Sequence, residues 1–451
     1  MNNSTALSTS QPSPADATSS AISGAALYRQ IAWRLLPLLM LCYMVAYLDR
    51  VNIGYAQLQM KQLLHFSDAV YGLGAGIFFV GYFLCEVPSN LLLERIGARK
   101  TLLRIMLCWG TVASLMMFIS TPLQFYLMRF VLGMFEAGFF PGVILYFTYW
   151  FPARQRAQVM AIFMSAAIAA SLVAGPLCGA ILQYLQSVGG LAGWQWLFLL
   201  QGLPAVVLGL VVYVRLDDTP AQANWLTSEQ KAQISQDLAA EIVDTAGTSH
   251  HAASPLQKLR SLLRDPMVYA FGLTNFLMVG ATYALVFWLP SLVRGWGINN
   301  LAVVGLITAI PNLAGIIGML LISRRSDRRR ERRWHFLSVL GIAILGLAIT
   351  VAAHGALLLS LLGLSVALVG VASTTPLFMT LISEHFSSSA AAGSIGGITS
   401  LGILGGAVSS AAIGVLSNKL GSVNSVLGVA IVLFAGAALV LMLATRKPRQ
   451  R

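Results

Sequence analysis

The 451-residue chain is 57% hydrophobic and only 10% charged, with a mean hydropathy of +0.76. Soluble domains carry roughly a quarter of their residues as charged side chains, so a water-soluble enzyme or binding domain is excluded. The net charge of +13 does not read as nucleic-acid binding: of 29 Lys and Arg, 24 lie on one side of the apolar segments, three on the other (Lys61, Arg294, Lys419) and two inside them (Arg50, Arg129). That asymmetry is the positive-inside pattern, and it puts both termini in the cytoplasm.

Residues 1–30, rich in Ser, Thr and Ala and lacking the apolar run of a cleavable signal, are expected to be a disordered cytoplasmic tail. The first span then serves as its own insertion signal. A bilayer core about 30 Å thick takes about 20 apolar residues per helix. Twelve such stretches follow: 32–56, 69–93, 101–120, 122–149, 157–186, 194–215, 266–293, 299–323, 335–353, 356–383, 390–417 and 422–445. The expected organisation is a six-helix bundle over 31–215, a central cytoplasmic segment over 216–264, a second six-helix bundle over 265–445 and a basic cytoplasmic tail at 446–451. In the central segment, Thr227 or Ser228 precedes a Glu-containing helix-forming run, which predicts a short capped helix.

A repeat supports the division. Glu94-Arg95-Ile96-Gly97-Ala98-Arg99-Lys100 follows span two, and Asp327-Arg328-Arg329-Arg330-Glu331-Arg332-Arg333 follows span eight, an offset of 233 residues. Both fit acid, Arg, three residues, two bases, and the offset matches the separation of spans one and seven. Parallel six-helix repeats predict two bundles that rock about a central site.

The remaining chemistry-bearing residues narrow the reading. Cys42, Cys85, Cys108 and Cys178 all fall in spans without CxxC spacing, which argues against disulfides and zinc. His65, His250, His251, His335, His354 and His385 fall in loops or at span ends, unpaired at helical spacing, so neither a haem nor a metal site is supported and no cofactor is expected. Four charges do lie well inside apolar helices: Asp49 and Arg50 in span one, Arg129 and Glu136 in span four. Intramembrane charge is expensive and usually marks a substrate, ion or proton pathway. Their formal sum is zero, the least costly way to hold ions in a low dielectric. Arg129 and Glu136 are seven residues apart, about 10 Å along nearly the same face; Tyr43, Tyr47 and Arg50 share a face of span one. A guanidinium matches the two oxygens of a carboxylate, so intramembrane Arg suits an anionic substrate. A static set of salt bridges that locks the helices is the competing reading.

Several motifs coincide with one family. YLDRVNIGYA (47–56), GYFLCEVPSNLLLERIGARK (81–100), RFVLGMFEAGFFPG (129–142), WFPARQRA (150–157), WQWLFLLQGLPA (194–205), FWLPSLV (287–293) and SDRRRERRWH (326–335) resemble the major facilitator superfamily. The closer likeness is to its anion:cation symporter family, with tartrate, phthalate, galactonate and hexuronate transporters among its members. The resemblance runs from about residue 30 to 445. It implies an all-α inner-membrane protein of twelve transmembrane helices in two pseudo-symmetric bundles, which takes up organic anions, typically carboxylates, with protons. It assigns Arg50 to the substrate carboxylate and Asp49 and Glu136 to proton carriage, with Arg129 paired to one of those acids, Asp49 first. Glu94, Arg95, Arg99 and Lys100, with Asp327 and Arg328 in the second copy, form a cytoplasmic gate. Glu86, in a matched stretch of span two, takes a structural or gate role ahead of proton transfer. Tyr47, Tyr82, Phe139, Phe140 and Asn275 are candidate cavity walls, and AGPLCG (174–179) reads as close helix packing.

Departures from the family carry the substrate expectation. Where many relatives have Trp and Asn in spans ten and eleven, the matching positions are Met379 and Thr399, and a later Asn corresponds to Ile403. Span seven lacks a central Arg, Arg294 lying at its outer end. Fewer hydrogen-bonding groups leave a polyhydroxylated substrate with unpaired hydroxyls, at about 1–3 kcal/mol each. The expectation is a monocarboxylate of moderate polarity handled by a monomer, with a sugar-acid symporter, an exchanger or exporter, or a membrane receptor as alternatives.

Overall fold

The computed structural model describes residues 14–247, 264–329, 331–386, 388–420 and 425–445. Its helices are α1 (Pro14–Leu63), α2 (Asp68–Ile96), α3 (Ala98–Leu115), α4 (Pro122–Glu136), α5 (Phe139–Trp150), α6 (Ala153–Tyr184) and α7 (Gly193–Arg215) in the first half. The central segment holds α8 (Ser228–Gly247), and the second half holds α9 (Pro266–Arg294), α10 (Leu301–Arg329), α11 (Arg333–Ala352), α12 (Leu357–His385), α13 (Ser388–Leu420) and α14 (Ser425–Ala444). Among the described residues, twelve stretches are long and apolar enough to cross a membrane, with α4 and α5 together making one of them.

That shared span contains the first departure from a simple helix. Gly138 has φ +88° and ends α4 at Glu136, so the chain turns before α5 restarts at Phe139. A left-handed residue interrupts the i to i−4 ladder, and glycine takes that conformation without a Cβ clash. Glu136 therefore lies at a break in the middle of the membrane span.

A second departure is at the start. α1 runs back to Pro14, into the stretch expected to be a disordered tail. Leu27 and Tyr28 are buried, and the Tyr28 hydroxyl donates to Asp237 of α8 at 2.6 Å. Burial and this bond hold the last turns of the expected tail as helix. The α8 cap forms at Thr227: its hydroxyl accepts from Gln230 N at 3.3 Å, and Thr227 N donates to Gln230 Oε1 at 3.0 Å. Trp225 stacks on Trp150 at 5.7 Å, and Arg156 and Ala153 N reach Glu241 at 2.6 and 2.9 Å, so α8 is braced against the first half.

The halves meet along α2–α13, α6–α10 and α1–α9. The first two pairings exchange places under the six-helix repeat, as two parallel copies facing each other require. Within the first half, α2 and α4 cross at backbone contact: a Cβ on Gly133 would fall on the Phe78 carbonyl, and one on Gly81 on the Phe130 carbonyl. Membrane helices without a hydrophobic drive between them rely on such small-residue contacts. Gly133→Val is expected to destabilise the protein by about 3 kcal/mol, because neither backbone can yield. Its melting in detergent should fall clearly, and an unchanged melt would show that the crossing relaxes at little cost.

Candidate functional site

Asp49 and Arg50 are neighbours on α1, so their side chains diverge by about 100°. Asp49 points into the first half and is 1% exposed. Its Oδ2 accepts from Trp109 Nε1 at 2.8 Å and its Oδ1 from Asn52 Nδ2 at 3.0 Å. Arg50 turns towards α2 and α4, where it forms an ion pair with Glu136 Oε1, its Nε lying 3.1 Å from the same oxygen. The Arg50 guanidinium also covers the Tyr82 ring at 5.3 Å.

Accessibility separates the two partners of that pair. The Arg50 side chain is 23% exposed and that of Glu136 1%. The guanidinium is therefore accessible from outside the packed interior, whereas the carboxylate is not. Glu136 Oε2 has no hydrogen-bond partner among the described residues. Buried polar atoms are normally satisfied, so this oxygen is an open acceptor beside the ion pair.

Arg129 does not pair with Asp49 as expected. It is fully buried, stacked 4.6 Å above Phe78, with Nε 3.4 Å from the Gly74 carbonyl oxygen. Neither of its Nη atoms has a hydrogen-bond partner among the described residues. The physical reason is competition: Trp109 and Asn52 already occupy the Asp49 oxygens. Arg129 remains within electrostatic reach of both Asp49 and Glu136, so the four charges form one cluster joined by a single closed pair.

The candidate walls divide. Tyr47, with Val51 and Tyr55, lines a cavity between the halves, closed by Ser171 of α6, Val286 of α9, Asn312 of α10 and Leu368 of α12. Tyr82 touches Arg50, whereas Phe139 packs on Trp109 and Phe140 on Tyr43. Asn275 is not a cavity wall: it is 2% exposed and donates to Ile398 O at 3.0 Å. Gly402 lets α13 come close enough for the amide to be enclosed. Met379 packs half-buried on the core, and the Thr399 hydroxyl returns to Ile395 O of its own helix at 2.8 Å. Sequence reasoning missed Trp109, Ser171 and Asn312; Asn52, one turn from Asp49, was findable from spacing alone.

Among the described residues, the gate motif makes no contact between the halves in either copy. Arg99 donates to Tyr213 O at 3.0 and 2.6 Å and stacks on its ring at 5.1 Å, while its backbone N–H bonds Asp218 of the central segment at 2.8 Å, and none of these contacts reaches the second half. Glu94, Arg95 and Lys100 are exposed. In the second copy Arg332, not the exposed Arg328, is the connector, binding Asp327 at 2.6 Å and Glu384 at 3.2 Å. These contacts do not cross between the halves because Arg99 and Arg332 each find a carbonyl or acid on their own side. Deeper in the seam, Glu86 faces Ser400 of α13, a position between the halves.

Cross-half hydrogen bonds gather instead at the opposite face. Gln57 Nε2 donates to Phe287 O at 2.6 Å, Arg294 Nη1 to Leu58 O at 2.5 Å, and Leu301 N to Gln183 Oε1 at 2.9 Å. Ser417 donates to Asp68 at 2.7 Å, and Asp68 also pairs with Lys61. Arg294 thus holds a seam, in addition to sitting at a span end. Backbones touch there too, since a Cβ on Gly72 would lie 2.5 Å from Ser410 O and 2.6 Å from Gly414 Cα. Gly72→Val is expected to keep this seam apart and slow turnover by roughly ten- to a hundredfold, given overpacking of about 1–3 kcal/mol. A cysteine at Asn312, in a background lacking the native four, should then react with an impermeant maleimide from that face. Wild-type turnover in this variant would mean that the glycine contact is incidental.

Twelve apolar helices in two repeated halves, with a buried charge cluster beside their seam, define a multi-pass membrane transporter. The sequence pattern described as Major Facilitator Superfamily matches residues 39–403, and the chain belongs to that family. It is 40% identical to the "Putative metabolite transport protein NicT" of Pseudomonas putida, over 91% of this chain and 92% of that one. It is 41% identical to a "Putative tartrate transporter" of Agrobacterium vitis, over 94% and 93%. The fold is similar to that of a bacterial homologue of the human lysosomal transporter Spinster in an inward-facing, unoccupied conformation, with TM-score 0.74, 16% identity and coverage of 93% and 97%.

Proposed function

We propose that the protein takes up an organic anion, a monocarboxylate of moderate polarity, by proton symport across the inner membrane. The observation that carries this reading is the Arg50–Glu136 pair, in which the cation is reachable and the acid is sealed. A substrate carboxylate competes with Glu136 for the guanidinium fork. Once Arg50 turns to substrate, Glu136 is left in a low dielectric without its counter-charge, where protonation is the cheaper state. Substrate and proton then raise each other's affinity, as linkage requires. Asp49, within electrostatic reach of Glu136, is the second proton carrier and Arg129 the fixed positive charge between them.

Apolar lining at Val51, Val286 and Leu368, with hydroxyl and amide groups at Tyr47, Tyr55, Ser171, Thr282 and Asn312, of which Tyr55 is bonded to Thr308 and Thr282 to Met278 O, supports moderate polarity over a polyol acid. In this reading the basic face is cytoplasmic, both termini lie there, and the two halves rock as units. The state described, sealed opposite the basic face, is then the inward-open one. Glu94, Arg95, Arg99, Lys100, Asp327 and Arg328 come together when that side closes, and the working unit is the monomer.

Proteoliposomes holding the purified protein test the reading. An inward proton gradient should drive accumulation of a benzoate-like acid, and a protonophore should abolish it. Transport of aldonates alone would overturn the substrate class; accumulation under the reversed gradient would make the protein an exporter or exchanger.

A further inference from the structure

The end of α10 carries more positive charge than the gate motif uses. Arg324, Arg325, Arg328 and Arg329 are all exposed. The nearby acids are engaged elsewhere: Asp327 and Glu384 bind Arg332, and Glu331 caps α11 through Trp334 N at 2.7 Å and His335 N at 3.2 Å. Burial would raise the Glu331 carboxyl, but those hydrogen bonds prevail and hold it below its usual range, so it stays ionised yet turned to α11. Among the described residues, none of the four arginines has an acidic partner.

Their direction is set by the helix. At about 100° per residue, Arg324, Arg328 and Arg325 fall within a sector of about 100°. Followed back through the membrane, the same sector holds Leu306, Ile310, Leu313, Ile317 and Leu321, exposed by 46 to 61%. Apolar side chains that stay exposed along a whole span face acyl chains. From Leu301, about 20 residues cross the hydrocarbon core, which ends near Leu321. The arginines continue the lipid-facing stripe roughly 5–10 Å beyond it, at headgroup depth. At the start of the next helix Trp334 is 60% exposed, with Arg333 stacked 5.4 Å over its ring, an exposed indole at the same end of the spans, as interfacial Trp residues are.

We propose that this face of α10 binds an anionic phospholipid, with Arg324, Arg325 and Arg328 around the headgroup phosphate. Guanidinium forks match phosphate oxygens in geometry and charge. Continuity with the acyl-facing stripe selects a lipid over a free anion. The corresponding positions of the first half, at the offset of 233 residues, are Leu91, Leu92 and Arg95, so that end of α2 lacks the cluster.

Native mass spectrometry of the full-length protein, released from equal mixtures of phosphatidylglycerol and phosphatidylcholine, tests this. The wild type should retain phosphatidylglycerol several-fold over phosphatidylcholine. Arg324→Gln with Arg325→Gln and Arg328→Gln should lose that preference, whereas Arg29→Gln with Arg154→Gln and Arg215→Gln, the same charge change on exposed first-half positions, should keep it. Equal loss in both triple variants would reduce the effect to net charge and overturn the site. So would the absence of a preference in the wild type, or displacement of the lipid by inorganic phosphate. Equal melting temperatures in detergent show that both variants are folded.

Discussion

Glu136→Gln is expected to abolish accumulation of substrate under a proton gradient while leaving exchange of substrate between compartments within about tenfold of wild type, since exchange needs binding and rocking but no net proton transfer. The glutamine keeps the shape at the break between α4 and α5 but removes the group that titrates. It also leaves Arg50 without its counter-charge, and removing one partner of a buried pair costs about 3–5 kcal/mol. The real figure should lie below that range, because Arg50 is 23% exposed and partly hydrated. Two readouts therefore belong together: uptake in proteoliposomes and thermal stability in detergent. A variant that is less stable and still concentrates substrate with the same number of protons would relegate Glu136 to a packing role. Substrate should restore stability more in this variant than in the wild type, since its carboxylate then supplies the only anion for Arg50.

Arg50→Lys is expected to weaken substrate binding by roughly ten- to a hundredfold. The estimate corresponds to losing one charge-assisted hydrogen bond of about 1.5–3 kcal/mol. Lysine keeps the charge, so the pairing with Glu136 survives in part, but an ammonium presents no planar fork and loses the stacking on Tyr82. Isothermal titration or substrate-induced thermal shift in detergent measures the loss without requiring transport. An unchanged affinity would take Arg50 out of the binding site, and the cavity beside Tyr47 would then have to be read as a packing defect between the halves. The two variants are distinguishable by what they spare: Glu136→Gln should keep affinity and lose coupling, while Arg50→Lys should lose affinity and keep whatever coupling remains measurable at saturating substrate.

The cluster was only half visible in the sequence. Asp49, Arg50, Arg129 and Glu136 stand out because ions are rare in apolar runs, and their spacing puts the first two on one helix and the last two on nearly the same face of another. Which ion meets which was not visible. The expected Arg129–Asp49 pair is displaced by an indole from α3, 60 residues from Asp49 in the chain, and no periodicity in α3 marks Trp109 as different from the other aromatics. Asn275 failed for a similar reason: its partner is a backbone carbonyl of α13, exposed to it by the glycine at 402.

By itself the sequence determined what is local or summed: that the chain spans a membrane twelve times, which face is basic, that its halves repeat, and which helices carry ions. Hydropathy, helical period and charge count act over one span or along the chain, and so they are read without knowing what lies beside what. The tertiary structure alone decided the pairing of Arg50 with Glu136 across 86 residues, the break at Gly138 that places Glu136, and the seam sealed opposite the basic face. Each of those depends on competition among donors and acceptors brought together by packing, where a nearer indole, carbonyl or glycine gap outweighs the partner that charge alone would choose.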